Sequence, residues 1–341
     1  MTSYKIALIP GDGIGPELTE ATLKVLDTVQ ENYKINLNII QVEAGDGCLK
    51  REGVALPEDA IDIIKSSDAC LKGPVGETAA DVVVKLRIMF DLYANIRPVK
   101  AYPNVPCARP DIDMVIVREN TEGVYRGIEF NLDADTSICL RPITRNACER
   151  IARYAFEAAR IRRKAMKVTA VHKANVMKKT DGLFSESCRA VAKGYPDVRL
   201  NELYVDNAAM QLIKRPQEFD VIVTTNMFGD ILSDEASILV GGLGVAPGAN
   251  IGDDFALFEP VHGSAPKYAG KNVANPTSMI SASKLMLSWL GDRHADDESE
   301  RASKAIERAL IETFKADILT RDLGGNAETD TFGRAVAERI L

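Results

Sequence analysis

The sequence predicts an α/β fold built on a largely parallel sheet. Two observations carry this. Short apolar runs alternate with amphipathic helical patterns along most of the chain, as expected for strands joined by helical crossovers. The 341 residues, 46% hydrophobic and 27% charged, have ordinary globular composition and can bury a large core without disulfides or a structural metal. That length fits one large or two medium domains.

The elements follow in order. Lys5–Ile9 is an apolar run of strand length. Glu17–Val29 reads as a helix with Leu18, Val25, Leu26 and Val29 on one side. Leu37–Val42 is the next strand, Pro57–Lys65 is helical, and Ala69–Lys72 is a strand running into Gly73-Pro74. Asp81–Leu92 is a helix. Asp113–Val117, Lys167–Val171 and Asp220–Thr224 are short apolar strands, and Arg301–Leu319 is a long amphipathic helix through Ala305, Ala309 and Leu310. Two segments break the alternation and predict loops: Lys100–Pro110, with Pro103, Pro106 and Pro110, and the Gly- and Pro-containing stretch Gly241–Pro266.

Several function classes are disfavoured. Net charge is -7, which argues against nucleic acid and membrane surfaces as partners. The one basic cluster, Arg160 to Lys164 with Lys167, follows Ala147, Ile151, Ala155 and Ala158, so it complements a helix C-terminus. Six cysteines form no C-x-x-C pair, and with three histidines they argue against zinc. The chain runs almost directly into a strand with no signal-type segment or transmembrane-length apolar run. A cytoplasmic protein with reduced thiols is expected.

The most informative stretch is Thr224–Glu235. Gly229 predicts a turn, and Ile231, Leu232, Ala236, Ile238 and Leu239 suit the buried side of a helix. Asp230 and Asp234 then lie one turn apart on one face. Two such carboxylates suit Mg²⁺ or Mn²⁺ between them. A solvated acidic first turn explains the pair equally well.

Other motifs are weaker singly. Gly11-Asp12-Gly13-Ile14-Gly15-Pro16 follows a strand, but Pro16 occupies the third glycine of a Rossmann fingerprint. It is therefore a tight turn with Pro near a helix start, and not a pyrophosphate cradle. Arg87, Arg97 and Arg118 sit at element ends. Converging, they would suit a di- or tricarboxylate; separately, each is an ion-pair residue. Lys173 directly follows a strand and suits proton transfer or a solvated strand end, and Asp206 is similarly ambiguous. The loop from Phe258 to Gly270 places His262, Gly263, Ser264 and Ala265 where backbone N–H groups can approach a phosphate or adenosine, with Asn275 shortly after.

Together these motifs resemble the β-decarboxylating dehydrogenases, the family of isopropylmalate, isocitrate, homoisocitrate and malate- or tartrate-type enzymes. The resemblance runs from Ile9-Pro10-Gly11-Asp12-Gly13-Ile14-Gly15-Pro16-Glu17 to Leu323-Gly324-Gly325-Asn326-Ala327. It implies an isopropylmalate dehydrogenase-like fold, not a Rossmann fold, with two α/β domains and a central cleft. Residues 1–98 and 242–341 would form the larger, cofactor-binding domain. Residues 99–241 would form the smaller one, carrying dimer contacts. It implies a homodimer, with pairing into tetramers open, whose site takes Lys173 and Asp206 from the neighbouring subunit. Asp206, Asp230 and Asp234 match the metal aspartates for Mg²⁺ or Mn²⁺. Arg87, Arg97 and Arg118 match the carboxylate clamp, and Tyr125 and Lys173 the catalytic pair.

Two departures refine the expectation. Family members that use NAD carry an Asp two residues after the loop alanine, where it receives the ribose hydroxyl. This chain has Lys267-Tyr268 there, and Arg321 falls near a further phosphate contact. The loop thus resembles that of NADP-using members, and NADP is expected, with NAD possible. Before Arg87, isocitrate enzymes carry Ser and Asn where this chain has Asp81 and Val83, and homoisocitrate enzymes can carry Arg where it has Val84. Val83 and Val84 suit a branched apolar group, so 3-isopropylmalate is the expected substrate. Isocitrate or homoisocitrate is the alternative, favoured by NADP use. A catalytically silent regulatory subunit of the family would lack part of the Arg/Tyr/Lys/Asp set, all of which is present.

Overall fold

The computed structural model describes residues 2–79 and 81–340. The N-terminal segment forms β1 (Thr2–Ile9), α1 (Gly15–Asn32), β2 (Ile35–Gln41), α2 (Asp46–Glu52), α3 (Glu58–Lys65), β3 (Ala69–Lys72), α4 (Asp81–Met89) and β4 (Ala94–Lys100). The middle holds β5 (Asp113–Glu119), β6 (Glu129–Asn131), β7 (Ser137–Cys139), α5 (Arg145–Arg162), β8 (Lys167–His172), α6 (Thr180–Ala192), β9 (Arg199–Tyr204), α7 (Val205–Lys214), β10 (Val221–Thr224) and α8 (Asn226–Ile238). The chain ends in β11 (Pro247–Ile251), β12 (Ala256–Pro260), α9 (Thr277–His294), α10 (Asp297–Lys315) and α11 (Thr329–Ala337).

One ten-stranded sheet runs through the molecule in the order β2-β1-β3-β12-β11-β4-β5-β10-β8-β9. Strands from the two chain ends occupy one half, and strands from residues 113–224 the other. The flanks are parallel, as the alternation predicted. The centre is not: β12–β11, β11–β4 and β4–β5 pair antiparallel. This is where the expected loop Gly241–Pro266 fails. It carries β11 and β12, and every residue of both strands is buried. Pro247 and Pro260 face each other at the open end of that hairpin, where the missing N–H groups cost little.

Helices cover both halves. α9 packs on β11 and β12, and α1 packs on α9 and α11, while α5 packs on β5 and β10. The buried faces follow the sequence periodicity: Leu18, Val25, Leu26 and Val29 of α1 are all fully buried. Thr144 caps α5 through its hydroxyl at 3.2 Å from the Ala147 N–H, and Arg163 closes it in the left-handed conformation among the expected basic residues. The helix expected to reach Leu319 stops at Lys315, and that expected to reach Leu92 stops at Met89.

Candidate active site

Side chains from β3, β12, β4 and β5 of the central sheet and from α4 and α8 face one cleft, the kind of concave, polar-lined site where ligands bind. The cleft measures about 340 Å³. It brings Val83, Val84 and Arg87 from α4 together with Arg97 from β4, Arg118 from β5, Tyr125 and Asp230. Separate surface ion pairs are thereby ruled out for the three arginines: 8%, 6% and 1% exposed, they are buried on one cavity.

Each arginine is aimed by a fixed partner. Arg118 donates through Nε and Nη2 to Asn226 Oδ1 at 3.0 and 2.7 Å, and its Nη1 pairs with Asp230. Arg97 Nε donates to Asn95 Oδ1 at 2.6 Å, leaving its buried Nη1 without a partner among the described residues. Arg87 donates to Asn250 at 2.9 Å and to Glu259 at 3.1 Å. Burial and its arginine neighbours push the Arg118 guanidinium down to about 10, and burial lowers Arg97 as well. An orphaned guanidinium N–H among crowded, desolvated cations fits an anionic ligand with several carboxylates.

Asp230 and Asp234 lie on α8, one turn apart as expected, but two details differ. Gly229 is helical and not a turn; a methyl there would sit 2.5 Å from Arg118 Cγ, so glycine admits the arginine. Ile231 and Ile238, expected on the buried side, are 60% and 68% exposed. Tyr125 donates its hydroxyl to Asp230, and Arg118 lies over the tyrosine ring, 5.0 Å from its centroid. Burial raises Asp230, but Arg118, the Tyr125 hydroxyl, Arg97 and Arg87 outweigh it and hold the carboxyl below its ordinary range. Asp234 is exposed and does not line the cleft; partial desolvation, with Asp230 adding and Arg97 opposing, pushes its carboxyl up, and it has no ion pair or side-chain hydrogen bond among the described residues. Two carboxylates one helical turn apart, one of them unpaired, fit the donor set of a hard divalent cation.

Lys173 and Asp206 sit elsewhere. Lys173 follows β8, Asp206 lies in the first turn of α7, and the two pair with each other. Neither lines the cleft, and no cluster of three acidic, histidine or cysteine side chains able to hold a metal occurs among the described residues.

A second cavity of about 630 Å³ adjoins the first. Ala265, Tyr268, Asn275 and Arg321 line it, and His262 and Gly263 line both. Its size and its continuity with the cleft fit a dinucleotide whose reactive ring reaches the acid site. Burial lowers His262, favouring the neutral imidazole, whose Nδ1 donates to Gly263 O at 3.0 Å. Ser264 and Lys267 do not line it. Ser264 is buried and its carbonyl receives the Ile14 N–H at 2.9 Å, while Lys267 is exposed on the rim turn Pro266–Tyr268.

Sequence reading missed Lys72 and Glu259. Lys72, 2% exposed at the end of β3, pairs with Glu259 at 3.0 Å, and both face the cleft. Burial raises Glu259, but Lys72, Arg87 and Arg97 overcome it and hold the carboxyl well below the usual range. The available signal was a lysine ending a fully apolar strand, a position that is costly unless paired.

The model of the isocitrate/isopropylmalate dehydrogenase family matches residues 5–336. The chain is 52% identical over 340 residues to the 3-isopropylmalate/3-methylmalate dehydrogenase of Methanocaldococcus jannaschii, covering 99% of each chain. It is 45% identical over 345 residues to the isocitrate/homoisocitrate dehydrogenase of Thermus thermophilus, covering 99% of both. The solved isocitrate dehydrogenase of Methylococcus capsulatus superposes with a TM-score of 0.92 at 43% identity over 99% of both chains. The cleft with its buried arginines therefore belongs to a member of the isocitrate/isopropylmalate dehydrogenase family.

Proposed function

We propose that the chain catalyses the oxidative decarboxylation of 3-isopropylmalate with NADP⁺ and Mg²⁺ or Mn²⁺, as a homodimer whose sites are shared. The single observation that carries the substrate is the wall of Val83 and Val84 beside the buried arginines. An isopropyl group against two valines gains about 2 kcal/mol, whereas a third carboxylate there meets no cation from α4's first turn. Relatives named 3-isopropylmalate dehydrogenase in Methanothermobacter thermautotrophicus and Archaeoglobus fulgidus, 52% and 50% identical, support the same reading.

The residues divide the work. Arg87, Arg97 and Arg118 bind and orient the two carboxylates of the malate unit. Asp230 and Asp234, with Asp206 of the partner subunit, would hold a divalent ion, which when bound would supply Lewis acidity to the substrate hydroxyl. The partner's Lys173 receives the hydroxyl proton, and Tyr125 delivers a proton to the carbon that loses CO₂. Lys267, Tyr268 and Arg321 recognise the 2′-phosphate of the cofactor, and Asn275 with residues 262–265 holds the remainder. On this reading the domains run over residues 1–98 with 242–341, and 99–241, with the first crossing near the end of β4. The Lys267-Tyr268 pair also favours a second reading, NADP-dependent oxidation of isocitrate or homoisocitrate. Parallel assays of 3-isopropylmalate, isocitrate, homoisocitrate and D-malate with each cofactor decide the matter. Activity restricted to isocitrate overturns the proposed substrate, and a clear NAD⁺ preference overturns the proposed cofactor.

A further inference from the structure

Asp181 is fully buried yet takes no part in either cavity. It stands in the first turn of α6, and its carboxylate reaches back across the turn that leaves β8. There Oδ2 accepts the backbone N–H of Lys173 at 2.6 Å. That N–H is the first beyond the β8 ladder, whose pairing stops at His172. Its neighbour is held in the same way: the Ala174 N–H donates to His172 Nδ1 at 3.2 Å, and His172 Nε2 donates to Glu202 at 3.1 Å. The Lys173 carbonyl accepts from Val176 and Met177 at 3.0 and 2.9 Å, so the backbone around the lysine is fixed on both sides.

The other oxygen of Asp181 meets Arg141 Nη1 at 2.5 Å. Arg141 spans further. Its Nη2 donates at 2.8 Å to the hydroxyl of Thr225, the residue immediately before α8, and its guanidinium lies 5.3 Å from the Phe228 ring centroid within α8. One buried ion pair thus ties the Lys173 turn to the start of the helix that carries Asp230 and Asp234. Surface ion pairs do not set side-chain positions in this way; a desolvated pair with both terminal guanidinium nitrogens directed does.

We propose that Asp181, braced by Arg141, is a positioning residue that sets the reach of Lys173 and its register against α8. This rests on the reading of Lys173 as a catalytic residue. In a shared-site dimer the Lys173 of one chain serves the neighbouring cleft, while the α8 it is tied to serves its own. The brace then lies between two sites and touches neither substrate.

The test compares Asp181→Asn, Lys173→Ala and the double variant, using whichever acid the wild-type enzyme turns over. Asp181→Asn keeps the shape but replaces the charge facing Arg141. The expected result is a kcat lowered at least tenfold with both KM values within about twofold, and no further loss when Asp181→Asn is added to Lys173→Ala, because a positioning residue acts only through its target. Arg141→Lys reads the same comparison should Asp181→Asn fail to fold. A folded variant with unchanged kcat overturns the proposal, as does a loss that multiplies undiminished in the double variant. An active Lys173→Ala enzyme overturns the underlying reading instead, and is distinguishable because it does not depend on Asp181.

Discussion

Gly229 lies against Arg118: a β-carbon at position 229 would sit 2.6 Å from the arginine Cβ and 2.5 Å from its Cγ. The arginine cannot yield, because it is 1% exposed and held on Asn226 and Asp230. Gly229→Ala gains about 1 kcal/mol of helix propensity but is overpacked by roughly 1–3 kcal/mol. It also displaces the guanidinium. KM for the acid substrate is expected to rise at least tenfold, with KM for the cofactor little changed, in steady-state kinetics.

Glu307 gives a pH dependence with a definite sign. Burial raises its carboxyl, but Lys284 and Lys100 overcome that and bring it down to about 2. A depressed carboxylate stabilises the fold above its unfolded pKa of about 4.3, and the contribution is lost as pH falls toward 2. Glu307→Gln is expected to cost about 2–3 kcal/mol at neutral pH and progressively less below pH 4, measured by urea unfolding across that range. A cost independent of pH contradicts this origin.

The rim turn Pro266–Tyr268 sets cofactor choice on the proposed reading. Lys267→Asp places a negative charge where the 2′-phosphate would lie, and is expected to lower kcat/KM for NADP⁺ at least tenfold, about 1.4 kcal/mol. The value for NAD⁺ should stay within about threefold. Equal losses with both cofactors would mean that Lys267 does not face the 2′ position.

The apolar residues misjudged on α8 have their own consequence. Ile231 and Ile238 are exposed together with Met210 and Ile213 of α7, 55% and 67% exposed. Exposed apolar side chains on these two helices would suit the interface of the proposed dimer. Ile231→Asp is expected to yield monomers in sedimentation velocity, with activity lost and the monomer still folded by circular dichroism. A stable active dimer would place the interface elsewhere.

How far the sequence was legible follows from what each residue's environment depends on. The strands β1, β2, β3, β5, β8 and β10 and the Asp230–Asp234 face were readable because local periodicity alone sets them, whereas the edge strand β9 was not anticipated. The central hairpin was not: Pro247, Gly248, Asn250 and Pro260 read as loop residues. Asn250 is in fact a fully buried junction, receiving Arg87, Asn95 and Asn120 on one oxygen and donating to Glu259. Tertiary hydrogen bonding overrides strand propensity there. Gly229 was misread for the same reason, since its need for glycine comes from Arg118, 111 positions away in the chain and adjacent only after folding. Lys72 and Glu259 escaped notice because a buried pair declares itself only when both partners are seen together.

The most direct measurement mixes two variants that are each inactive. Asp230→Asn disables the chain's own cleft, and Lys173→Ala disables the contribution to its neighbour's. Hybrid dimers formed by unfolding and refolding the mixture contain one site with both residues intact. NADP⁺ reduction by 3-isopropylmalate is expected to return to about a quarter of the wild-type rate, since half the dimers are hybrids and each has one working site of two. A mixture as inactive as its two components would contradict a catalytic centre shared between two copies of this chain.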